Sequence, residues 1–509
     1  MLIIKDLSLY LKQDLRLIIK DFNFTLKPGD KVALIGEEGN GKSSLLKAIY
    51  QPDLLTSYIK ISGQISTVGE IIGYLPQELP AACRDLPVCN YFRQSCSVDE
   101  LDYTHYYHLL DMLDLKIDAL TSLAIVRMLS GGEKIKLQLL CQLLKKPTLL
   151  LLDEPSNDLD LSSVRWLENF LTALSIPVIF VSHDETLITA CANTIIHFEQ
   201  HMRKKEFHYS VSRLEYSEYK DTRTEQLQRQ TQQAKKDKDV FDKKRERFQQ
   251  IFQRVEHEQN VISRAAPSAA ANLKKKMHSL KSMERRLEKE QQNLSKRPDF
   301  ETAILLHFNP NINLPAGKPV LNLEIPELRI GDRVLSQNIR LNITGPAKIG
   351  IIGQNGCGKT TLLRRIVQEL SAAKIPLGYM PQDYSETMPP EKTALDFLIS
   401  SGSKEEYSKN ATYLGSLNFT YEEMNHPIRQ LSGGQKAKLF FAKMILAEAV
   451  VLILDEPTRN LSPLSMPKVR NALKDFGGAI ISVSHDRSYL AEVCQQIYRL
   501  DEKGLHLVT

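Results

Sequence analysis

The sequence predicts an α/β fold made twice, with two antiparallel helices between the copies. Three observations predict it. Short motifs recur at a fixed long offset, each copy opens as strand, Gly-rich turn and helix, and the stretch between them changes abruptly to helix-forming, charged residues.

The repeat comes first because it sets the number of domains. Leu129-Ser130-Gly131-Gly132-Glu133 returns as Leu431-Ser432-Gly433-Gly434-Gln435, Leu152-Asp153-Glu154-Pro155 as Leu454-Asp455-Glu456-Pro457, and Ser182-His183-Asp184 as Ser484-His485-Asp486, every pair 302 residues apart. Upstream the register slips: Lys42 to Gln77 is 35 residues, whereas Lys359 to Gln382 is 23, so the first copy carries about twelve extra residues around 51–66. The copies are placed at 1–205 and 302–509. Apolar runs at 148–152, 177–181, 450–454 and 479–483 have the length and composition of parallel strands buried on both faces.

Residues 206–301 form the connection. From about 211 to 297 the chain is rich in Gln, Lys, Arg and Glu and poor in Gly and Pro, a helix composition. Leu227, Ala234, Phe241, Phe248, Val255 and Ile262 follow a seven-residue period, and past Pro267 so do Leu273, Leu280, Leu287 and Leu294. Two helices facing along one narrow seam satisfy that period, with a tip near 262–272. At about 1.5 Å per residue the shorter helix would reach on the order of 40 Å.

Composition narrows the class. The chain has 509 residues, 42% hydrophobic and 25% charged, which is ordinary for globular domains. No stretch approaches the roughly 18–20 apolar residues of a membrane-spanning helix, and Asp6 follows the N-terminal apolar residues too early for a signal peptide. A cytoplasmic protein is expected. The seven cysteines lack zinc-site spacing and are read as reduced thiols.

Two Gly-rich loops carry the first chemistry. Gly36-Glu37-Glu38-Gly39-Asn40-Gly41-Lys42-Ser43 and Gly353-Gln354-Asn355-Gly356-Cys357-Gly358-Lys359-Thr360 both fit G-x-x-x-x-G-K-[ST] and are followed by Ser44 and Thr361. Glycines let backbone N–H groups turn inward around phosphates at a helix N-terminus, the lysine adds a cation, and the hydroxyl of Ser43 or Thr360 suits Mg²⁺. Asp153 and Asp455 end apolar strands, where an aspartate supports Mg²⁺. Glu154 and Glu456 follow, placed to polarise an attacking water. His183 and His485 each come 29 residues after that glutamate, at the end of another apolar strand, where an imidazole reaches a γ-phosphate.

In this order these motifs resemble the ABC ATPase superfamily: phosphate loop, Gln77 and Gln382 in Tyr-Leu-Pro-Gln and Tyr-Met-Pro-Gln, the Ser-Gly-Gly signature, Asp-Glu and histidine. The resemblance implies two ABC-type P-loop nucleotide-binding domains joined by a two-helix antiparallel coiled-coil linker, with ATP and Mg²⁺ as cofactors and Gln77 and Gln382 among the metal ligands. It also implies head-to-tail pairing of the cassettes within a monomeric chain. One nucleotide would then lie between Lys42, Gln77, Glu154 and His183 and the opposite Ser432, Gly433, Gly434 and Gln435. The other would lie between Lys359, Gln382, Glu456 and His485 and Ser130, Gly131, Gly132 and Glu133. An aromatic upstream of the loop stacks on adenine in the family, which offers Tyr10 for that role, with a core role as the alternative.

One loop departs from the family pattern. The first copy continues Ser156-Asn157-Asp158-Leu159-Asp160, ending in the usual aspartate, while the second continues Thr458-Arg459-Asn460-Leu461-Ser462, so the two sites are not expected to be equivalent.

Charge points to the partner. Residues 211–297 hold 22 Lys and Arg against 13 Asp and Glu, net +9, while the whole chain is +5, which leaves −4 for the rest. Such a field favours nucleic-acid phosphates, though it also suits a solvated coiled coil. Two cassettes in one chain with a charged helical linker resemble the ABC-F family. That resemblance implies binding at the ribosomal tRNA exit site, with the linker reaching the P-site tRNA, the large-subunit rRNA and the peptidyl-transferase centre. Thr458-Arg459-Asn460-Leu461-Ser462-Pro463-Leu464-Ser465 is similar to the loop of the branch that protects ribosomes from antibiotics. Arg264, Ala265, Ala266, Pro267 and Ser268, with Lys274, Lys275 and Lys276 behind them, would form the contacting tip; their small residues fit a narrow channel and equally an ordinary hairpin turn. A housekeeping factor for stalled ribosomes and the ATPase subunit of a sugar importer stay as alternatives.

Overall fold

The computed structural model describes all residues except 14, 97–100, 158, 202–205, 262–266, 293–305, 400–401 and 509; the side chains of 201, 259–261, 267–271, 273 and 292 also lie outside the description. The chain divides into two compact units, one made of 1–216 with 301–509 and the other of Ser217–Phe300.

Each cassette is built on a six-stranded sheet. In the first the order is Ile72–Leu75, Leu149–Asp153, Val178–Val181, Lys31–Gly36, Thr194–His201 and Glu206–Ser212, parallel except for the last pair. The second repeats that order with Leu377–Met380, Val451–Asp455, Ala479–Val483, Lys348–Ile352, Gln496–Asp501 and Gly504–Leu507. The continuous apolar runs occupy central strands, and every residue of Leu149–Asp153 and of Val451–Asp455 is buried. Burial of each Leu, Ile or Val there contributes roughly 1.5–3 kcal/mol relative to exposure. These strands form the rigid floor whose C-terminal ends carry Asp153 and Asp455.

An antiparallel layer precedes each sheet and differs between copies. The first has three strands, with Ile3–Leu11 central between Leu17–Thr25 and Ile59–Ser66. The second has two, Pro319–Ile330 and Arg333–Thr344. The extra residues of the first copy are thus a short 3₁₀ turn, Pro52–Leu54, and the third strand.

The second unit consists of helices Tyr216–Val261 and Pro267–Gln292. Phe241, Phe248, Val255, Leu280 and Leu287 form its core, and Ala234 is buried on the same seven-residue seam. Phe252 and Met277, outside the period, pack against it. Lys244 and Glu290 form an ion pair between the helices. Ile262 and the side chains of Leu273 and Leu294 lie outside the described residues, as do Arg264, Ala265, Ala266 and the side chains of Pro267 and Ser268. Lys274, Lys275 and Lys276 are exposed. Among the described residues no helix is long and apolar enough to cross a membrane.

Candidate active sites

Each phosphate loop leaves a buried central strand and enters a helix, Lys42–Tyr50 or Lys359–Ala372. Left-handed backbone at Gly39, Gly41, Gly356 and Gly358 makes the turn. Packing adds a second requirement: a Cβ on Gly41 would stand 2.4 Å from Ile18 Cγ2, and one on Gly36 2.4 Å from the carbonyl oxygen of Phe198. Asn40 is buried and donates to that same carbonyl at 3.0 Å, which anchors the crown of the first loop.

The lysines sit inside their loops. Lys42 Nζ donates to the carbonyls of Gly36 at 2.7 Å and Glu37 at 2.9 Å, and Lys359 Nζ to those of Gly353 at 2.8 Å and Gln354 at 2.9 Å. Beside them, Ser43 Oγ donates to Asp153 at 2.9 Å and Thr360 Oγ1 to Asp455 at 2.8 Å. A hydroxyl and a carboxylate so placed are hard oxygen donors of the kind a small divalent cation takes, so the residues fit Mg²⁺. Burial pushes the Asp153 carboxyl up to about 6 against the opposing Ser43 hydrogen bond, and raises Asp455 for the same reason; a cation there would offset that desolvation.

The next residue turns sharply at both sites. Glu154 has φ 52° and Glu456 φ 53°, a conformation uncommon outside glycine. Their backbone N–H groups bond the carbonyls of Val181 and Val483 on the neighbouring strand, which holds the turn against the sheet.

Here the sites diverge. Glu154 Oε1 is 2.9 Å from His183 Nε2 with both side chains buried, whereas Glu456 Oε1 is 3.7 Å from His485 Nε2. Burial alone would lift the Glu154 carboxyl, but the His183 imidazole, helped by Lys42, holds it below the ordinary glutamate value. Burial and then the neighbouring Asp455 push Glu456 up to about 8, and burial with Lys359 pushes His485 down to about 4. One oxygen of each glutamate, Oε2 of Glu154 and Oε1 of Glu456, has no hydrogen-bond partner among the described residues, which leaves it able to accept from water.

The opposing signatures complete two clefts between the cassettes. Ser130 and Ser432 cap helices Gly131–Leu143 and Gly433–Leu446 in reciprocal boxes with Glu133 and Gln435, fixing their free N-terminal N–H groups in place. A cleft of about 400 Å³ is lined by Gly39, Gly41, Lys42, Ser43, Ser44, Gln77, Glu154 and His183 together with Ser432. A second, of about 770 Å³, brings Asn355, Gly356, Gly358, Lys359, Thr360, Thr361, Gln382, Asp455, Glu456 and His485 to Ser130, Gly131 and Glu133. Gly353, Gln354 and Cys357 line a further hollow, which Asp160, Leu161 and Ser162 of the first cassette also border. Gly132 packs at the start of its helix, where a Cβ would meet Ser163 Oγ at 2.5 Å.

Several contacts lie outside the sequence expectation. The Gly434 N–H donates to Glu38 Oε2 at 2.7 Å across the cassettes, and Lys438 Nζ lies 3.5 Å from Glu37. The signal was visible as two acids inside the first loop where the second has Gln354 and Asn355. Tyr10 does not line the first cleft; its neighbour Leu11 does, because alternation along the strand sends adjacent side chains to opposite faces. The aromatic on that wall is Tyr58, with Arg16 and Ile18 beside it. Arg459 lines both clefts.

A family model described as ABC transporter matches residues 19–157 and 336–459. The probable ATP-binding protein YheS of Escherichia coli K12 is 28% identical across 97% of this chain and 78% of its own length. ABC transporter F family member 5 of Arabidopsis thaliana is 26% identical across 95% of this chain and 73% of its own. Among solved structures, the archaeal ribosome recycling factor aABCE1, in complex with ribosomal stalk protein aP1, superposes with a TM-score of 0.57 at 16% identity, covering 99% of this chain and 89% of that one. At that identity the likeness is one of fold. With the model matching both cassettes, the chain belongs to the ABC transporter family, as a twin-cassette ATP hydrolase whose near-full-length relatives include F-type members.

Proposed function

We propose that this chain is a cytoplasmic, ribosome-binding ATPase that protects the ribosome from antibiotics acting at the peptidyl-transferase centre. The observation that carries the reading is the separate helical unit Ser217–Phe300, strongly basic, set in sequence between two complete ATPase cassettes. A positive field of that kind takes up RNA phosphates without reading sequence. The resemblance of loop 458–465 to that of the protecting branch favours drug protection over the housekeeping reading.

The residues then divide the work. The loop N–H groups with Lys42 or Lys359 hold the phosphates, and the opposing signature helix presents its N-terminus to the terminal one. Mg²⁺ bound by Ser43 and Asp153, or by Thr360 and Asp455, with Gln77 or Gln382, would neutralise charge on the leaving phosphates. Glu154 accepts a proton from the attacking water while His183 orients the carboxylate and contacts the γ-phosphate; Glu456 and His485 hold the same places in the second site. ATP binding closes the cassettes with the hairpin directed from the tRNA exit site toward the P-site tRNA and large-subunit rRNA, and hydrolysis releases them.

Glu154→Gln with Glu456→Gln should therefore trap the chain on ribosomes in ATP. Sedimentation of the double variant free of ribosomes would sink the reading. Expression in a susceptible host, scored against lincosamides, pleuromutilins, streptogramins A, phenicols, oxazolidinones and macrolides, separates the branches: ribosome trapping without any change in inhibition identifies a housekeeping factor.

A further inference from the structure

Two ion pairs join the cassettes away from the phosphate loops. Arg470, on helix Met466–Lys474 of the second cassette, is 2% exposed and donates through Nη2 to Glu185 of the first cassette at 2.8 Å. Its Nε donates to Glu492 of its own cassette at 2.9 Å. The other pair joins Arg487, which opens helix Arg487–Val493, to Glu168 on helix Leu161–Ala173 at 3.1 Å. Both arginines reach out from the second cassette and both glutamates from the first.

The positions are equivalent in the repeat. Glu168 and Arg470 stand 302 residues apart, as do Glu185 and Arg487, the same offset that relates the two histidines. Each contact therefore sets one copy's 168/470 position against the other copy's 185/487 position, and the charge is inverted at both. Two first cassettes brought together in this way would place Glu168 against Glu185 twice, with Asp184 alongside. Two second cassettes would place Arg470 against Arg487 twice, with Glu492 and Asp486 as the neighbouring counter-charges. Like charges desolvated against each other cost far more than an exposed pair gains, and Glu185 is only 10% exposed in its side chain.

We propose that these two charge-inverted ion pairs decide which cassettes close on one another, favouring first with second and rejecting like with like between chains. The arrangement achieves this by repulsion in the wrong pairings as much as by attraction in the right one. The lock sits one residue past each His-Asp pair, so the pairing it selects is also the one that assembles the clefts.

The test uses three full-length proteins. Glu168→Arg with Glu185→Arg faces arginine with arginine and should lose ATP hydrolysis by about tenfold or more. Glu168→Arg with Arg487→Glu keeps an opposite pair at both intramolecular contacts, so hydrolysis should stay within about twofold of the wild type. That second variant also makes first-with-first and second-with-second pairing attractive. It should therefore self-associate in sedimentation with ATP at concentrations where the wild type does not. An exchanged-pair variant that associates no more than the wild type, or that hydrolyses as slowly as the all-arginine variant, overturns the proposal. So does an all-arginine variant with the wild-type rate.

Discussion

The two nucleotide sites share every motif in the same order, yet charge is distributed differently around each. In the first, the Glu154–His183 pair is close, the facing loop brings Arg459 and Asn460 to the cleft and carries Ser462 where the other copy has Asp160, and Glu38 occupies the N-terminus of the opposing signature helix. In the second, Glu456 and His485 stand further apart, and the Asp160 carboxylate acts on His485 across the cassettes. The repeat preserves positions more faithfully than it preserves electrostatics. Strands in the same order and loops at equivalent positions place the side chains, and a few exchanged residues decide how each site works.

The largest expected effect separates the two glutamates. Because His183 holds Glu154 at hydrogen-bond distance, the first site has the better-positioned base, and general bases contribute about 10²–10⁴-fold. Glu154→Gln should lower steady-state ATP turnover about tenfold or more, and Glu456→Gln by only about a tenth of the rate, the remaining rate coming from the untouched site. Equal losses would erase the functional side of the comparison.

Much of this is legible in the sequence. The constant offset of 302 residues exposes both cassettes, and buried parallel strands announce themselves as unbroken apolar runs because neither face meets water. The seven-residue period marks Phe241, Phe248, Val255, Leu280 and Leu287 because a two-helix seam buries one narrow stripe. The wall of the first cleft was not legible. Tyr58 stands in the turn just before the first copy's extra strand, while strand alternation, invisible without the pairing partner, turns Tyr10 away. Contacts between cassettes were the least legible of all. Arg470 and Glu185 are 285 residues apart, and nothing local to either predicts the other.

A second prediction concerns the acids of the first loop. Glu37 and Glu38 place two carboxylates beside the phosphate position, and Glu38 competes with an anionic ligand for the Gly434 N–H. Glu38→Asn, which copies Asn355, should tighten ATP binding at the first site by about threefold to tenfold, the gain shrinking as salt is raised. Titration of a fluorescent ATP analogue into a Lys359→Ala background, which disables phosphate binding at the second site, measures it at two ionic strengths. Weaker binding would show that the bridge to Gly434 assists closure rather than opposing the nucleotide.

The smallest effect tests the loop that differs between copies. Asp160 accepts from the Ser163 N–H at 2.9 Å and from Ser162 Oγ at 2.8 Å, and its helix begins at once, at Leu161. Ser462 bonds Ser465 Oγ at 2.9 Å instead, and the matching helix begins only at Met466, with no side-chain cap. Loss of a cap costs about 0.5–2 kcal/mol, whereas serine caps nearly as well as aspartate. Asp160→Ala should therefore lower stability by about 1 kcal/mol in denaturant unfolding and also change hydrolysis at the second site by a few-fold, because it removes both the cap and the charge beside His485. Asp160→Ser removes the charge alone: stability should hold within a few tenths of a kcal/mol while the change in hydrolysis remains. If both variants, made in the Glu154→Gln background, hydrolyse like their Glu154→Gln parent, the aspartate serves the helix and not the site, and the two loops differ in structure without differing in function.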